Sequence, residues 1–199
     1  MFNNIFLHSP DFLIRCNSLV YSADVYGVMR KNNIYRSYAY AVAYNHPNML
    51  LTYQVLKIGQ SSPDPQVSTV QIGERISRQL HHVPGWKYLK NDPISSHGQD
   101  FMNAVNLQIK ENLLPTSFHK DDITVGVWDI SKRMSLSNII ETPDSERRAT
   151  LWVEGELANQ YKELYGKLPM LNFADPTKSS VYKNPNYISK AVGQIFGWT

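Results

Sequence analysis

The stretch Ser37–Tyr44, SYAYAVAY, alternates between bulky side chains and alanine. Successive side chains of a strand point to opposite faces of its sheet, so this period of two predicts a β-strand. One predicted face carries Tyr38, Tyr40, Val42 and Tyr44, and the other carries Ala39, Ala41 and Ala43. The alanine face leaves room for a helix to approach closely, and the opposite face presents three phenolic hydroxyls.

A second strand is predicted at Tyr53–Gln60, YQVLKIGQ, after a loop at Asn45–Thr52 that contains a proline. Strands this close in sequence are expected to pair as an antiparallel hairpin. Direct pairing from the loop outward places Tyr40 opposite Lys57. A hydroxyl and an ammonium are then expected on the same face of the sheet.

The remaining elements follow from hydrophobic periodicity and from capping residues. They are helices at Ser68–His82, Gln99–Leu113 and Glu146–Tyr165, and a third strand at Ile123–Ile130. Residues 1–36 show no clean period and are predicted to be irregular with a short helix. The chain is therefore expected to be an α/β protein with a small, mainly antiparallel sheet of three strands flanked by helices.

The last long helix has a carboxylate near the middle of its predicted buried side. Glu154 falls there, whereas Glu156 lies on the polar side. The predicted buried side comprises Leu151, Leu157, Ala158, Tyr161, Leu164 and Tyr165. Carboxylates are almost never fully buried without a partner, because losing water costs an isolated charge several kcal/mol or more. Glu154 is therefore expected to face a cation.

Arginine on the first long helix is the second candidate for chemistry. At 100° per residue Arg75 lies beside the apolar stripe with Gln79 and His82 as neighbours, whereas Arg78 points away. A carboxylate that binds a metal, a guanidinium that holds phosphate oxygens and a hydroxyl beside an ammonium are the groups that phosphodiester hydrolysis requires. Without further information, Arg75 and Glu154 could equally form a structural ion pair.

Composition and charge limit the class of protein. The 199 residues include 42% hydrophobic and 19% charged residues, which is typical of a globular chain without long disordered regions. Cys16 is the single cysteine, and no apolar run approaches the roughly 20 residues of a membrane span. No secretory leader is evident, so a cytoplasmic protein without membrane partners is expected. The six histidines show no zinc-site spacing.

The net charge of +3 is concentrated near the C-terminus. No acidic residue follows Asp175, whereas Lys178, Lys183 and Lys190 do, interleaved with aromatic residues. Lysines can meet phosphates and rings can stack on bases, so this segment suits a nucleic acid. The alternative is a terminal segment that packs through its aromatic rings and leaves its lysines in solvent.

These motifs, in this order, resemble the GIY-YIG nuclease domain. YAYAV, KIGQS, an arginine in a helix, E-x-x-L-A on a later helix and P-M-L-N occur between Tyr38 and Asn172. Both tripeptides depart from the family pattern, since Tyr38-Ala39-Tyr40 stands for G-I-Y and Lys57-Ile58-Gly59 for Y-I-G. The two intervening loops are also longer than is usual in the family, and loops absorb such insertions easily.

The resemblance implies roles for individual residues. Tyr40 would be the base, Lys57 would lower its pKa, Arg75 would bind the phosphate and Glu154 would hold one divalent metal. Asn172 would fix local geometry, and His82 would contact a phosphate or the leaving group. Arg78 and Glu156 are the alternatives to Arg75 and Glu154.

The expected function is then a metal-dependent endonuclease that uses Mg²⁺ or Mn²⁺ and cleaves double-stranded DNA. A homodimer would let one small domain cut both strands by symmetry. The whole chain, residues 1–199, is expected to form one domain, with a nuclease core at 37–172 and extensions at 1–36 and 173–199. A nucleic-acid-binding protein on the same fold that does not hydrolyse its ligand is the alternative, and a structural Arg75–Glu154 pair is the third possibility.

Overall fold

The computed structural model describes residues 2, 5–33, 37–45, 54–62, 75–88, 96–136 and 142–197. The predicted loop around Pro47, the predicted helix start at Ser68 and the aromatic residue Trp198 lie outside the described residues. Within them, the chain is α/β, and helices cover both faces of one antiparallel sheet.

The sheet has four strands where the sequence predicted three. They are β1 (Phe12–Arg15), β2 (Tyr38–Tyr44), β3 (Gln54–Ser61) and β4 (Ile123–Asp129), in the spatial order β1-β4-β2-β3. All three pairings are antiparallel. The additional strand comes from the region predicted to be irregular. It has four residues, too few to show a period, and its partner β4 is more than a hundred residues away in the chain.

From Tyr38 to Val42, the register of the β2–β3 hairpin differs from the prediction by two residues. Tyr40 pairs with Gly59 and Val42 pairs with Lys57, and the pairing shifts between Val42 and Ala43 at a bulge. The predicted pairing of Tyr40 with Lys57 is therefore wrong. A shift of two residues keeps Tyr40 and Lys57 on one face as diagonal neighbours. On the other side of the bulge the shift is one residue, and Val55 lies on the alanine face.

Seven α-helices lie within the described residues. They are α1 (Ala23–Lys31), α2 (Arg75–Leu80), α3 (Ser96–Lys110), α4 (Ile130–Leu136), α5 (Pro143–Tyr165), α6 (Ser180–Lys183) and α7 (Tyr187–Ile195). Helices α1, α2 and α3 cover the tyrosine face of β2, and α4, α5 and α7 cover its alanine face. The close approach predicted from the alanines is confirmed, since α5 packs Ala149, Val153 and Leu157 into the same cluster as those alanines.

Helix α5 begins three residues earlier than predicted. The Thr142 hydroxyl accepts a hydrogen bond from the Ser145 N–H, and the Ser145 hydroxyl accepts one from the Thr142 N–H. This capping box places Pro143 at the first helical position. The helix ends as predicted at Gly166, which adopts the left-handed conformation with φ of 70°.

The predicted buried side of α5 is confirmed at Leu157, Ala158 and Tyr161 and is wrong at its C-terminal end. Leu164 and Tyr165 are 56% and 40% exposed. Tyr161 is the last buried residue of the helix, so the layer that covers α5 ends about one turn before the helix does. None of the helices within the described residues is long and apolar enough to cross a bilayer.

The C-terminal segment packs against the alanine-side layer. Phe196 is buried, and Tyr182 lies against Gly155 of α5 and donates a hydrogen bond to Glu156 at 3.0 Å. Lys183 and Lys190 are exposed. This arrangement matches the alternative in which the segment packs through its rings and leaves its lysines in solvent.

Candidate active site

Tyr40 is buried at the centre of the tyrosine face of β2. Its hydroxyl donates a hydrogen bond to Oε1 of Gln79 on α2, and the guanidinium of Arg75 donates one to the phenolic oxygen. Arg75 and Gln79 are four residues apart on α2 and therefore lie on the same side of the helix. The first turns of α2 thus hold the hydroxyl of Tyr40 between a cation and an amide.

Gly59 on β3 makes room for the Tyr40 ring. A Cβ atom built on Gly59 would lie 2.6 Å from both Cζ and the hydroxyl oxygen of Tyr40, closer than real Cβ contacts. The two residues are paired across the strands, so the ring lies directly over the glycine. The glycine of the K-I-G tripeptide therefore has a steric role in positioning the phenol.

Three charged side chains from three elements converge beside this phenol. Lys57 on β3 and Arg75 on α2 both act electrostatically on Glu154 of α5, and Glu154 acts on Tyr40. Strand β3 is at the edge of the described sheet, where side chains of both helical layers can meet. Four of the six residues predicted for the site, Tyr40, Lys57, Arg75 and Glu154, thus belong to one cluster, which we call the edge cluster.

Glu154 is partly buried and has no close partner within the part of the chain that the structure describes. Burial raises its pKa to about 7, and the charges of Lys57 and Arg75 oppose that rise. Among the described residues, no hydrogen bond or ion pair shorter than 4 Å reaches its carboxylate. The expected cations are therefore near Glu154 without being bound to it.

Glu156, the alternative carboxylate, has a different environment. It accepts hydrogen bonds from Nε2 of Gln160 at 3.1 Å and from the hydroxyl of Tyr182 at 3.0 Å. These bonds join Glu156 to the helix surface and to the C-terminal segment. The comparison favours Glu154 as the carboxylate available to a ligand.

The cation that acts on Tyr40 is Arg75, whereas the resemblance implied Lys57 for this role. Burial raises the pKa of Tyr40 well above its ordinary value, Arg75 lowers it through charge and a hydrogen bond, and Glu154 raises it. The phenol is therefore neutral at pH 7 in this arrangement. Burial also lowers the pKa of Lys57, with a further lowering from Arg75.

Asn172 holds the edge strand from outside. Its Oδ1 accepts a hydrogen bond from the Ile58 N–H at 2.9 Å, and its Nδ2 donates to the Ile58 carbonyl at 3.1 Å. The Leu171 N–H donates to the Leu56 carbonyl at 2.8 Å. Asn172 therefore fixes the backbone on either side of Ile58, from which Lys57 and Gly59 extend.

His82 lies against its neighbour His81 and against helix α3. Its ring contacts His81, with centroids 4.8 Å apart, and packs against Gly98 of α3. Its Nε2 is buried without a hydrogen-bond partner among the described residues. Arg78, the alternative to Arg75, is exposed on α2.

Three residues near the cluster were not predicted as site residues. Gln79 was noted as a neighbour of Arg75, but its bond to Tyr40 depends on how α2 packs on the sheet. His97 and Asp100, near the start of α3, both interact electrostatically with Lys57, and His97 also interacts with Arg75. A helix start that reaches the site only through tertiary packing leaves no local sequence signal.

The residues fit a divalent metal that is held jointly with a substrate. No group of three His, Cys, Asp or Glu side chains lies together among the residues that the structure describes. Glu154 alone supplies one hard oxygen ligand, and Mg²⁺ commonly binds through one or two carboxylates, several waters and substrate phosphates. A carboxylate free of close partners has the open coordination that this requires.

Comparisons with known proteins neither extend nor contradict this picture. A scan of protein-family models gave no match, and searches among curated proteins and among solved structures gave none either. The resemblance to GIY-YIG nucleases therefore depends on the motifs quoted above. The edge cluster is the structural feature against which that resemblance can be tested.

Proposed function

We propose that this protein is a metal-dependent endonuclease that hydrolyses phosphodiester bonds of DNA. The observation that carries the proposal is the carboxylate of Glu154, which lies near two cations and the Tyr40 phenol and is bonded to none of the described residues. A structural ion pair would bring the charges within 4 Å and satisfy them. Groups left unpaired in this way are characteristic of sites that bind charged ligands.

The two cations suit a phosphate. Arg75 is exposed and can present its guanidinium to two phosphate oxygens at once, and Lys57 adds a point charge from the edge strand. A phosphate held between them would lie beside both Glu154 and Tyr40. The chain thus binds and orients the group to be cleaved.

Tyr40 is the proposed proton acceptor in its phenolate form, which would exist only after the phenol has released its own proton to solvent. Its hydroxyl proton points to Gln79, and the bond from Arg75 favours the phenolate, whereas burial and Glu154 disfavour it. A divalent cation on Glu154 would neutralise charge on both the phosphate and the carboxylate that disfavours the phenolate. Tyr40→Phe, which keeps the ring over Gly59 and removes the acceptor, is the variant that tests this role.

Two glutamates on one helix provide the decisive experiment. Supercoiled plasmid is incubated with wild type, Glu154→Gln and Glu156→Gln in Mg²⁺ or Mn²⁺, and with EDTA. We expect wild type and Glu156→Gln to nick the plasmid only when the metal is present. The nicking rate of Glu154→Gln should be lower by about 100-fold or more. Full activity of Glu154→Gln would contradict the proposed mechanism.

The second candidate function is binding of a nucleic acid without hydrolysis. The burial of Tyr40 and the raised pKa of its hydroxyl favour it, because a neutral, buried phenol is a poor base. In that case wild type would shift DNA in a gel in a salt-sensitive way without nicking it.

Sedimentation of the protein on duplex DNA tests the additional proposal of a homodimer that cuts both strands by symmetry.

A further inference from the structure

Phe173 is a large apolar side chain that lies exposed beside the edge cluster. It is 67% exposed, and the Lys57 ammonium lies 4.8 Å from the centroid of its ring. A cation over one face of a ring contributes some attraction, but the exposed fraction shows that much of the ring remains open to solvent. An open aromatic face thus lies next to Lys57, one of the two cations proposed to bind phosphate.

The backbone next to Phe173 is held in place. Phe173 directly follows Asn172, whose side-chain amide hydrogen-bonds both the N–H and the carbonyl of Ile58. The Leu171 N–H donates a hydrogen bond to the Leu56 carbonyl. The ring therefore extends from a segment fixed to the sheet edge. A group positioned before binding loses little conformational freedom when a ligand arrives.

We propose that Phe173 stacks on an unpaired nucleobase of the strand whose phosphate binds Lys57 and Arg75. This inference rests on the proposed function and specifies its substrate class, which is DNA with a single-stranded or extruded nucleotide at the site. Every base has a π-face that an aromatic ring can cover, without regard to sequence. In an intact duplex that face is covered by neighbouring bases, so stacking selects a nucleotide that has left the helix.

The test separates the base from the phosphate. Two fluorescent single strands of about 12 nucleotides are compared by anisotropy, one of thymidines and one of abasic residues with the same phosphates. Protein carrying Glu154→Gln is used to prevent cleavage. Tighter binding of the thymidine strand, by roughly 5- to 100-fold, is expected because only that strand has bases to stack.

Variants at Phe173 assign the difference to its ring. Phe173→Ala and Phe173→Leu should bind the two strands equally, since neither has an aromatic face, and Phe173→Trp should restore the preference. Tyr187→Ala removes another exposed ring, 77% exposed at the start of α7, and should leave the preference unchanged. Phe173 is on the surface, so thermal unfolding is expected to show all its variants folded.

The outcomes distinguish this inference from the proposed function. Equal binding of both strands by the Glu154→Gln protein would overturn stacking, while metal-dependent nicking of plasmid by wild type would still support the nuclease. A preference that persists in Phe173→Ala would also overturn the role of this ring. Failure to bind either strand, together with no nicking, would overturn both proposals.

Discussion

Two regions of the molecule combine aromatic rings with cations and use them differently. Near the C-terminus, Phe196 is buried under the guanidinium of Arg133, 4.6 Å from the ring centroid, and Arg133 is ion-paired with Asp11. At the edge cluster, Phe173 is exposed beside Lys57. The first arrangement pairs its charges and buries its ring, which stabilises the fold. The second leaves charge and ring surface available to a ligand.

The largest effect on stability is expected in the first region. Phe196→Ala removes a buried ring that also contacts His8, with centroids 5.1 Å apart, and should lower the free energy of unfolding by about 3–5 kcal/mol. Urea unfolding measures this loss. At a temperature where the variant is folded, its affinity for DNA should equal that of wild type. If Phe196→Ala lost DNA affinity while folded, the segment around Phe196 would belong to the DNA-binding surface, and the distinction between the two regions would be wrong.

A smaller effect is expected from crowding the edge cluster. Gly59→Ala introduces a Cβ atom 2.6 Å from the Tyr40 ring and should destabilise the protein by about 1–3 kcal/mol while displacing the phenol. Nicking should therefore fall by more than the folded fraction does.

The matched control is Gly27→Ala on α1, where nothing lies within 4 Å of the added atom. This change should stabilise the protein by about 0.5–1 kcal/mol, because alanine is favoured over glycine in a helix. If Gly59→Ala were as stable and active as wild type, the glycine would have no part in placing Tyr40.

The smallest effect is expected at Lys57 and has the opposite sign. Burial and Arg75 lower its pKa, so its charged form is less favourable in the folded protein than in the unfolded chain. Lys57→Met should therefore raise the free energy of unfolding at pH 7 by about 0.5–1 kcal/mol while weakening DNA binding.

The sign of the pH dependence follows from that lowered pKa. Charged Lys57 destabilises the folded protein fully when the pH is below the pKa that Lys57 has in the folded state. This destabilisation decreases as the pH rises from that pKa toward the ordinary pKa of lysine. The stability difference between Lys57→Met and wild type should narrow in alkaline solution when measured by urea unfolding. A variant less stable than wild type at pH 7 would show that the ammonium stabilises the fold.

Local patterns in the sequence predict part of this fold. Alternation at period two predicts β2, and strand-like composition between turn signals predicts β3 and β4, each to within one residue at each end. The sequence does not predict strand β1, because its four residues show no period and its partner is distant in the chain. The hairpin register is not predicted either, because a bulge adds one residue to β3 and local alternation does not show where that residue lies.

The sequence likewise predicts some features of the candidate site and not others. Helical geometry indicates that Glu154 faces inward and that Arg75 and Gln79 lie together, and the structure agrees on both points. The pairing of Gln79 with Tyr40 and the presence of His97 near Arg75 depend on how α2 and α3 pack on the sheet. The exposure of Phe173 likewise follows from tertiary structure alone.

The backbone bonds around Asn172 have a consequence for self-association. An exposed strand edge is a template on which another chain can extend the sheet, and proteins commonly block it. A strand approaching β3 would find the Leu56 carbonyl and both backbone groups of Ile58 already occupied. Asn172 and Leu171 therefore protect this part of β3 from pairing with a strand of another chain, which opposes fibril formation at this edge.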